Sequence, residues 1–363
     1  MSTALRFSRI EDGQQAQLLQ AVHKILTEVG AHNAGIFDAA YWDWQYRQLP
    51  GGKALVYGAW NGAGELVGYY HVPMYRCRIG AEEKLIANVQ DVAVDPAYRG
   101  QGLFRQLAEY ANAELDTSGA DLVYTFPNQK SIRTFLKYTG YQLVTAVPAY
   151  IRPVNTGRIL AKRIKLAGLE KLAGLAVDAA VGLFSRRFRG QRGSVVRITR
   201  ISDEVEAVFG AFGEQFRNRL VRDKAWLDWR YLRSVRGKHH LFGLEQGGKT
   251  TAVVVLKEDE MLGNPALLIM DMACLPGHEK ALLYLIDQVR RNPKLTGFRF
   301  DLIFAMGIAP FFAQLGRIGF LRIPEKLNPR VLNLVVRNIT LADGGQLQEA
   351  RNWLLTLGDW DVF

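Results

Sequence analysis

The sequence predicts an α/β (α+β) fold built twice, and three observations carry that reading. Residues 54–94 are dense in strand formers, and residues 91–141 then run strand, helix, strand, helix, strand, the order of a mixed sheet with helices beside it. Short segments also recur in the same order along the chain. WDWQY (42–46) returns as LDWRY (227–231), and Gly52-Lys53 and Tyr57-Gly58 return as Gly237-Lys238 and Phe242-Gly243, each 185 residues on. At 180 residues, Asp91–Pro96 returns as Asp271–Pro276 and Asp121–Tyr124 as Asp301–Phe304. Gly140-Tyr141 returns as Gly319-Phe320 after 179. Ordered matches with slowly drifting offsets point to a duplicated domain; two unrelated α/β domains with similar turn chemistry are the alternative. The third observation is a basic, helix-patterned segment between the two runs. The expected division is therefore 1–152, a linker over 153–194, and 195–363.

Each element of the first half has its own signal. Residues 36–47 read as a short aromatic helix or turn. Residues 54–60 and 65–75 read as strands around Asn61-Gly62-Ala63-Gly64, and residues 76–94 as a second hairpin-like pair. After Gly102 the apolar stripe Leu103, Leu107, Ala108, Ala111 and Leu115 predicts a helix. ADLVYTF (120–126) predicts a strand, SIRTFLKYTGY (131–141) a helix ending at Gly140, and Tyr141 opens a last strand.

The chain has 363 residues, 48% hydrophobic and 22% charged, as expected for two ordinary globular domains. No uncharged apolar run reaches the ~18 residues needed to span a bilayer, and MSTALRFSRI lacks the apolar core of a secretory signal. Cys77 and Cys274 are too few for a disulfide framework or a thiolate zinc site, which fits a reduced cytoplasmic setting. No His, Cys and carboxylate set has metal-ligand spacing. The net charge of +11 sits mostly in residues 151–197, which hold 11 basic residues against 2 acidic ones. Neither flanking region is a basic domain.

The most informative stretch is DVAVDPAYRGQGLFRQLAEYANAEL (91–115), a strand, a basic two-glycine turn and a helix. A helix start presents backbone N–H groups with no partner inside the helix and carries partial positive charge. Glycine lets the chain turn tightly and approach a phosphate closely. Arg99-Gly100-Gln101-Gly102 is thus a pyrophosphate cradle in outline, although such a turn also simply links a strand to a helix. The stretch resembles the acyl-CoA motif of the GCN5-related N-acetyltransferase (GNAT) superfamily, Arg/Gln-x-x-Gly-x-Gly/Ala, over Arg99-Gly100-Gln101-Gly102-Leu103-Phe104. FPNQKSIRTFLKYTGY (126–141) resembles that family's second CoA-contacting region. The resemblance covers residues 1–150 and, more weakly, about 195–340.

What the resemblance implies is a pair of GNAT-like domains, each with a mostly antiparallel twisted sheet. The backbone of Val92, Ala93 and Val94 would pair with a pantetheine arm, the amides of Arg99, Gly100, Gln101, Gly102, Leu103 and Phe104 would hold the pyrophosphate, and Asn128 would contact the cofactor. Acetyl-CoA, or another acyl-CoA, is the implied acyl donor, attacked directly by an amine. The sequence departs from the family pattern in two places. Phe104 stands where Gly or Ala is usual, and must point toward the core. Leu136, beside Phe135, stands at the usual tyrosine acid, with Tyr138 and Tyr124 near that strand end but out of register. An amine must also lose a proton. Asp91 is the candidate base, equally readable as a capping residue, with His71 and Glu83 as further options; His71 reads more simply as a strand histidine. Asn88 and Gln90 can only position water.

In the second half the cradle is gone: Pro276-Gly-His-Glu-Lys-Ala-Leu replaces Pro96-Ala-Tyr-Arg-Gly-Gln-Gly, and Glu279 would repel phosphate. The second half reads as a degenerate copy that supports the first. Trp44 with Tyr46, and Trp229 with Tyr231, read as packing residues more than as ligand platforms. The basic segment 156–193 has three readings: connecting helices with solvated basic ends, a surface for anionic membrane or a lipid-linked substrate through 157–193, or a nucleic-acid contact. The lack of interleaved aromatics disfavours the last. The expected activity is acyl transfer to a primary amine of a small molecule, an amino sugar by preference, in the cytoplasm or at the inner membrane face. A non-catalytic acyl-CoA sensor or scaffold is the rival.

Overall fold

A computed structural model describes residues 5–28, 37–161, 192–261, 263–328, 331–342 and 344–360. Two compact units divide the chain: the first takes the residues up to Ala146 and the segment ending at Ala350, and the second takes the rest. The first unit opens with β1 (Arg6–Arg9), α1 (Gln15–Glu28) and α2 (Ala39–Trp42), which continues into one π-helical turn (Asp43–Arg47). It goes on through β2 (Ala54–Trp60), β3 (Leu66–Ile79), β4 (Glu82–Val94), α3 (Leu103–Leu115), β5 (Leu122–Thr125), α4 (Ile132–Tyr138) and β6 (Gln142–Ala146). The second unit holds β7 (Ala149–Pro153), β8 (Ser194–Ile198), β9 (Asn218–Leu220), β10 (His239–Gln246), β11 (Lys249–Met261), β12 (Asn264–Cys274), β13 (Leu302–Ile308) and β14 (Leu321–Arg322). The chain then returns to the first unit for β15 (Asn333–Asn338) and ends in the second with β16 (Trp353–Thr356).

Within the first unit the sheet order is β1-β2-β3-β4-β5-β15-β6. Only the β4–β5 pair is parallel, so the sheet is mixed and mostly antiparallel, as expected. The stripe Leu103, Leu107, Ala108, Ala111 and Leu115 of α3 is buried in the core of this sheet. The expected hairpin over 76–94 differs in one respect. Arg76–Ile79 is the end of β3, because no turn residue separates Tyr75 from Arg76, and only Gly80-Ala81 breaks the run before β4.

The expected boundary at 152 needs correction. β15, from far down the chain, lies between β5 and β6: Val335 and Val336 face Thr125 and Tyr124 on one side and Leu143 and Gln142 on the other. Val335 belongs to the first unit's core, Arg337 pairs with Asp116 at 2.6 Å, and Thr340 donates to Asp121 at 2.7 Å. In the second unit β7, placed with the first half on sequence, lies between β13 and β14. The second sheet then runs β8-β10-β11-β12-β13-β7-β14, the same plan strand for strand, again with one parallel pair at β12–β13. Each sheet is completed by a strand the chain supplies after the other has been laid down.

Most of the basic segment, residues 162–191, lies outside the described residues, and with it the membrane and nucleic-acid readings. Arg158 of that segment pairs with buried Asp301 at 3.2 Å, and buried Arg152 just before it donates to the Ile318 carbonyl at 2.9 Å. Among the described residues no helix is long and apolar enough to cross a membrane. Both cysteines are buried, and neither forms a disulfide.

Candidate active site

The site begins where two strands part. β4 and β5 pair from Ile86↔Leu122 to Val89↔Thr125, and there the Thr125 hydroxyl donates to the Val89 carbonyl at 2.8 Å. β4 runs on to Val94 while β5 has ended, so a wedge opens along residues 90–94. The Asp95 amide bonds to the Val67 carbonyl at 2.9 Å, on the β3 side. By the period-two alternation of a ladder, Ala93 faces β3 as well, opposite Tyr69, and Val92 and Val94 turn their backbone groups toward the wedge. Two of the three expected strand residues therefore offer a free edge, and the third does not.

Below the wedge, a groove of about 430 Å³ starts at Val94 and is lined by the loop after it, including Tyr98, Arg99, Gly100 and Gly102. Asp95 starts this loop by accepting from the Ala97 amide, and Lys24 pairs with it at 3.0 Å. Those hydrogen bonds hold the Asp95 carboxyl below its ordinary range, against the opposing effect of burial. Gly100 and Gly102 have φ of +75° and +77°, a conformation that favours glycine. A Cβ on Gly100 would meet no atom within 4 Å, and one on Gly102 only the Gln106 amide at 3.8 Å. The bare face of the loop is thus open space beside the first-turn amides of α3, which fits a diphosphate. Gln101 turns back to the Ala97 carbonyl at 3.1 Å. Leu103 is buried, and half-buried Phe104 packs its ring edge-on to Phe135 at 5.9 Å while still lining the groove.

The remaining expected residues separate. Asn128 accepts from the Lys130 and Ser131 amides at 2.9 and 3.2 Å, which makes it the turn that starts α4. Tyr138 lines the groove, with the Arg105 guanidinium 4.3 Å over its ring, and so joins the loop rather than the proton-transfer candidates. Tyr124 is fully buried on β5, opposite Asn88 and one residue before the wedge. Glu83 is held by Arg76 at 2.6 Å, which lowers its carboxyl, at the far end of β4 from the wedge.

Asp91 stands at a bulge. Between Tyr69↔Ala93 and His71↔Gln90 the β4 strand carries one extra residue, and Asp91 has φ of +47°, the one positive value outside glycine among the described residues. Held backbone strain of this kind marks functional sites. The Asp91 Oδ2 accepts the hydroxyls of Tyr41 at 3.0 Å and Tyr46 at 2.9 Å. His71 Nδ1 lies 2.9 Å from the Tyr46 oxygen. Because that hydroxyl donates to Asp91, the network assigns the hydrogen to His71 Nδ1. His71 is wholly buried, its Nε2 makes no hydrogen bond, and burial pushes its pKa down to about 3, so it stays neutral. Gln90 also donates to Tyr46, at 3.4 Å, and takes the Asn88 amide at 3.2 Å. Tyr41 and Tyr46 escaped the sequence reading, which took the aromatic cluster for packing. The recurrence of Tyr46 as Tyr231, alongside Asp91 as Asp271, was the signal available.

In the second unit, Tyr231 donates to Asp271 at 2.8 Å, the same pairing. The loop there differs: the Glu279 carboxylate accepts from the Gly277 amide at 3.2 Å, so the helix Glu279–Arg291 opens on a negative charge of its own.

Comparison with known proteins agrees with this geometry. Residues 17–144 match the family model described as an acetyltransferase (GNAT) domain. No curated protein sequence matches the chain. A GCN5-related N-acetyltransferase from Anabaena variabilis superposes with a TM-score of 0.62 at 10% identity, over 93% of this chain and 73% of that one. A probable N-acyltransferase from Enterococcus faecalis gives 0.60 at 13%, with the same shares. Saccharomyces cerevisiae N-myristoyltransferase, solved with bound myristoyl-CoA, gives 0.60 at 12%, over 93% and 83%. These likenesses establish a shared fold. With the strand–loop–helix geometry and the family match together, residues 17–144 of this chain are a GNAT domain.

Proposed function

We propose that the chain is an N-acyltransferase that moves an acetyl or other acyl group from acyl-CoA to a primary amine of a small molecule, for which an amino sugar is one candidate. One observation carries the reading: the free edge of β4 runs without a break into a groove floored by two left-handed glycines and a helix start. Val92 and Val94 would hold the pantetheine arm as a further strand, and the amides from Arg99 to Phe104 would hold the diphosphate, with Arg105 and Tyr138 on the groove wall. When bound, acyl-CoA supplies an activated thioester. The chain's own part is to place the amine at the wedge and accept its proton, and Asp91, held by two phenols, is the base for that step. The amine nitrogen bonds to the acyl carbon as the carbon–sulfur bond breaks. Tyr124, the phenol nearest the wedge in register, is the candidate donor to the departing sulfur. The second unit is read as a duplicate whose loop no longer holds a nucleotide, because Glu279 takes the place of the phosphate.

Thiol release from acetyl-CoA across a panel of primary amines tests the proposal. Release that rises with an amine above background hydrolysis is expected. CoA binding with no amine-dependent release would instead favour a sensor.

A further inference from the structure

The second unit has a groove at the position in its fold that corresponds to the groove of the first, but with a different lining. It measures about 310 Å³, at the low end of small-molecule sites. Its walls are the start of the helix Glu279–Arg291, the helical run Pro310–Ile318, and the end of the helix Asp203–Gly213 with the turn after it. The sequence repeat relates the two places. At 180 residues, Arg99 and Gly100 return as Glu279 and Lys280, and Ser131 and Thr134 return as Phe311 and Gln314. Arg317 stands two residues before Gly319, as Tyr138 stands two before Gly140.

Three changes alter what such a groove can hold. Lys280 fills the position of the left-handed Gly100, so the bare backbone face that suits a diphosphate is gone. The Glu279 carboxylate accepts from the Gly277 amide at 3.2 Å, which takes that donor away from a ligand. Phe311 joins Phe212 and Phe216 in an aromatic floor. All three are buried, with the Phe212 ring 6.1 Å from Phe311 and 5.5 Å from Phe216.

Two cations border this floor. Lys280 and Arg317 are exposed, and among the described residues neither forms an ion pair or a side-chain hydrogen bond. The Gln215 and Gln314 amides beside them are equally uncommitted. Two cations and one carboxylate leave the lining with a single positive charge, and Glu279 disfavours a second negative charge on any occupant.

We propose that this groove binds an organic monocarboxylate with an aromatic or apolar body. The carboxylate accepts hydrogen bonds from the Arg317 guanidinium and the Lys280 ammonium, and the body lies on the phenylalanine floor. A guanidinium offers a carboxylate two parallel donors, so Arg317 selects the head group. Every lining residue belongs to the second unit, so the site stands whether or not the first unit transfers an acyl group.

Sodium phenylacetate is the probe, with phenylacetamide as its uncharged match. Ligand-observed NMR titration of the full chain should show saturable binding of the carboxylate, with the amide about tenfold weaker or more. Lys280→Gln combined with Arg317→Gln should weaken the carboxylate by about the same factor and leave the amide unchanged. Thermal unfolding should not move, since neither side chain bonds to the described protein. No phenylacetate binding to the wild type, or equal binding to the double variant, overturns the inference. Displacement of phenylacetate by CoA would place it on the first unit's loop and overturns it too. Should the double variant fail to fold, the carboxylate-to-amide ratio in the presence of CoA decides, and a ratio near one refutes the site.

Discussion

Gly102→Glu separates a nucleotide cradle from a mere strand-to-helix turn. Gly102 has φ of +77°, so any side chain there costs about 1–2 kcal/mol of backbone strain. Space is no obstacle, since a Cβ meets only the flexible Gln106 amide at 3.8 Å. Against a typical stability of roughly 5–15 kcal/mol the fold should survive. Binding should not survive. A carboxylate about 4 Å from a phosphate oxygen costs about 1 kcal/mol in water and about 4 kcal/mol at an effective dielectric near 20. The corresponding loss of CoA affinity is roughly fivefold to a thousandfold. Gly102→Ala carries the same strain without the charge and is the control. Titration calorimetry with CoA on the three proteins, alongside their thermal unfolding, reads both effects. Equal affinities for the Ala and Glu variants would show that no anion sits at the loop.

Three further outcomes follow from the fold and its buried charges. A fragment of residues 1–152 should aggregate or stay unfolded. It lacks the buried Leu334, Val335 and Val336, worth roughly 5 kcal/mol or more together, and a soluble fragment with native circular dichroism would contradict that. Arg222→Met should lower urea stability by about 3–5 kcal/mol, because Asp271 and Asp359 remain buried beside each other; a loss below about 1 kcal/mol would refute the ion network's role. Burial pushes His71 and His239 down to about 3 from 6.5, so below about pH 6.5 the unfolded chain takes up protons that the folded one refuses. Their contribution is therefore full above that pH and is lost toward pH 3, roughly 2 kcal/mol from the pair by about pH 5.5. Urea titrations should show about half that acid sensitivity removed in His71→Gln.

The two-glycine loop was legible in the sequence because its geometry leaves a direct mark. Two positions need positive φ and an uncovered backbone, and glycine is the residue that supplies both, so Gly100 and Gly102 appear as letters. The α3 stripe was legible for the same reason, since a helix period imprints itself on Leu103, Leu107, Ala111 and Leu115. The Asp91 cluster was not. Tyr41 and Tyr46 satisfy an aromatic core as well as a site, and what distinguishes them is a hydroxyl partner about fifty residues away. That partner is aimed by a bulge, and bulges leave no pattern in composition. The destination of β15 was equally hidden: Asn-Leu-Val-Val-Arg-Asn states a strand but not which sheet takes it.

That hidden strand ties the first sheet to the length of chain that carries the second unit. The wedge between β4 and β5 exists because β5 is held from its other side, and what holds it is β15. Without β15, β5 would keep one partner over only four residues, and a strand paired so briefly is free to slip. A slip of one residue would turn Tyr124 and Thr125 over and move the end of the ladder that fixes where the wedge opens. The chain reaches β15 only after it has laid down β7 to β14 of the second unit, and it then returns to that unit for β16. Ending the chain before β15 therefore removes a strand from the first unit, whether or not the second carries out any chemistry of its own. Its loop carries Glu279, whose carboxylate accepts from the Gly277 amide, where the first unit has Gly100 and Gly102. Its Arg222 pairs with buried Asp271, the counterpart in sequence of the half-buried Asp91.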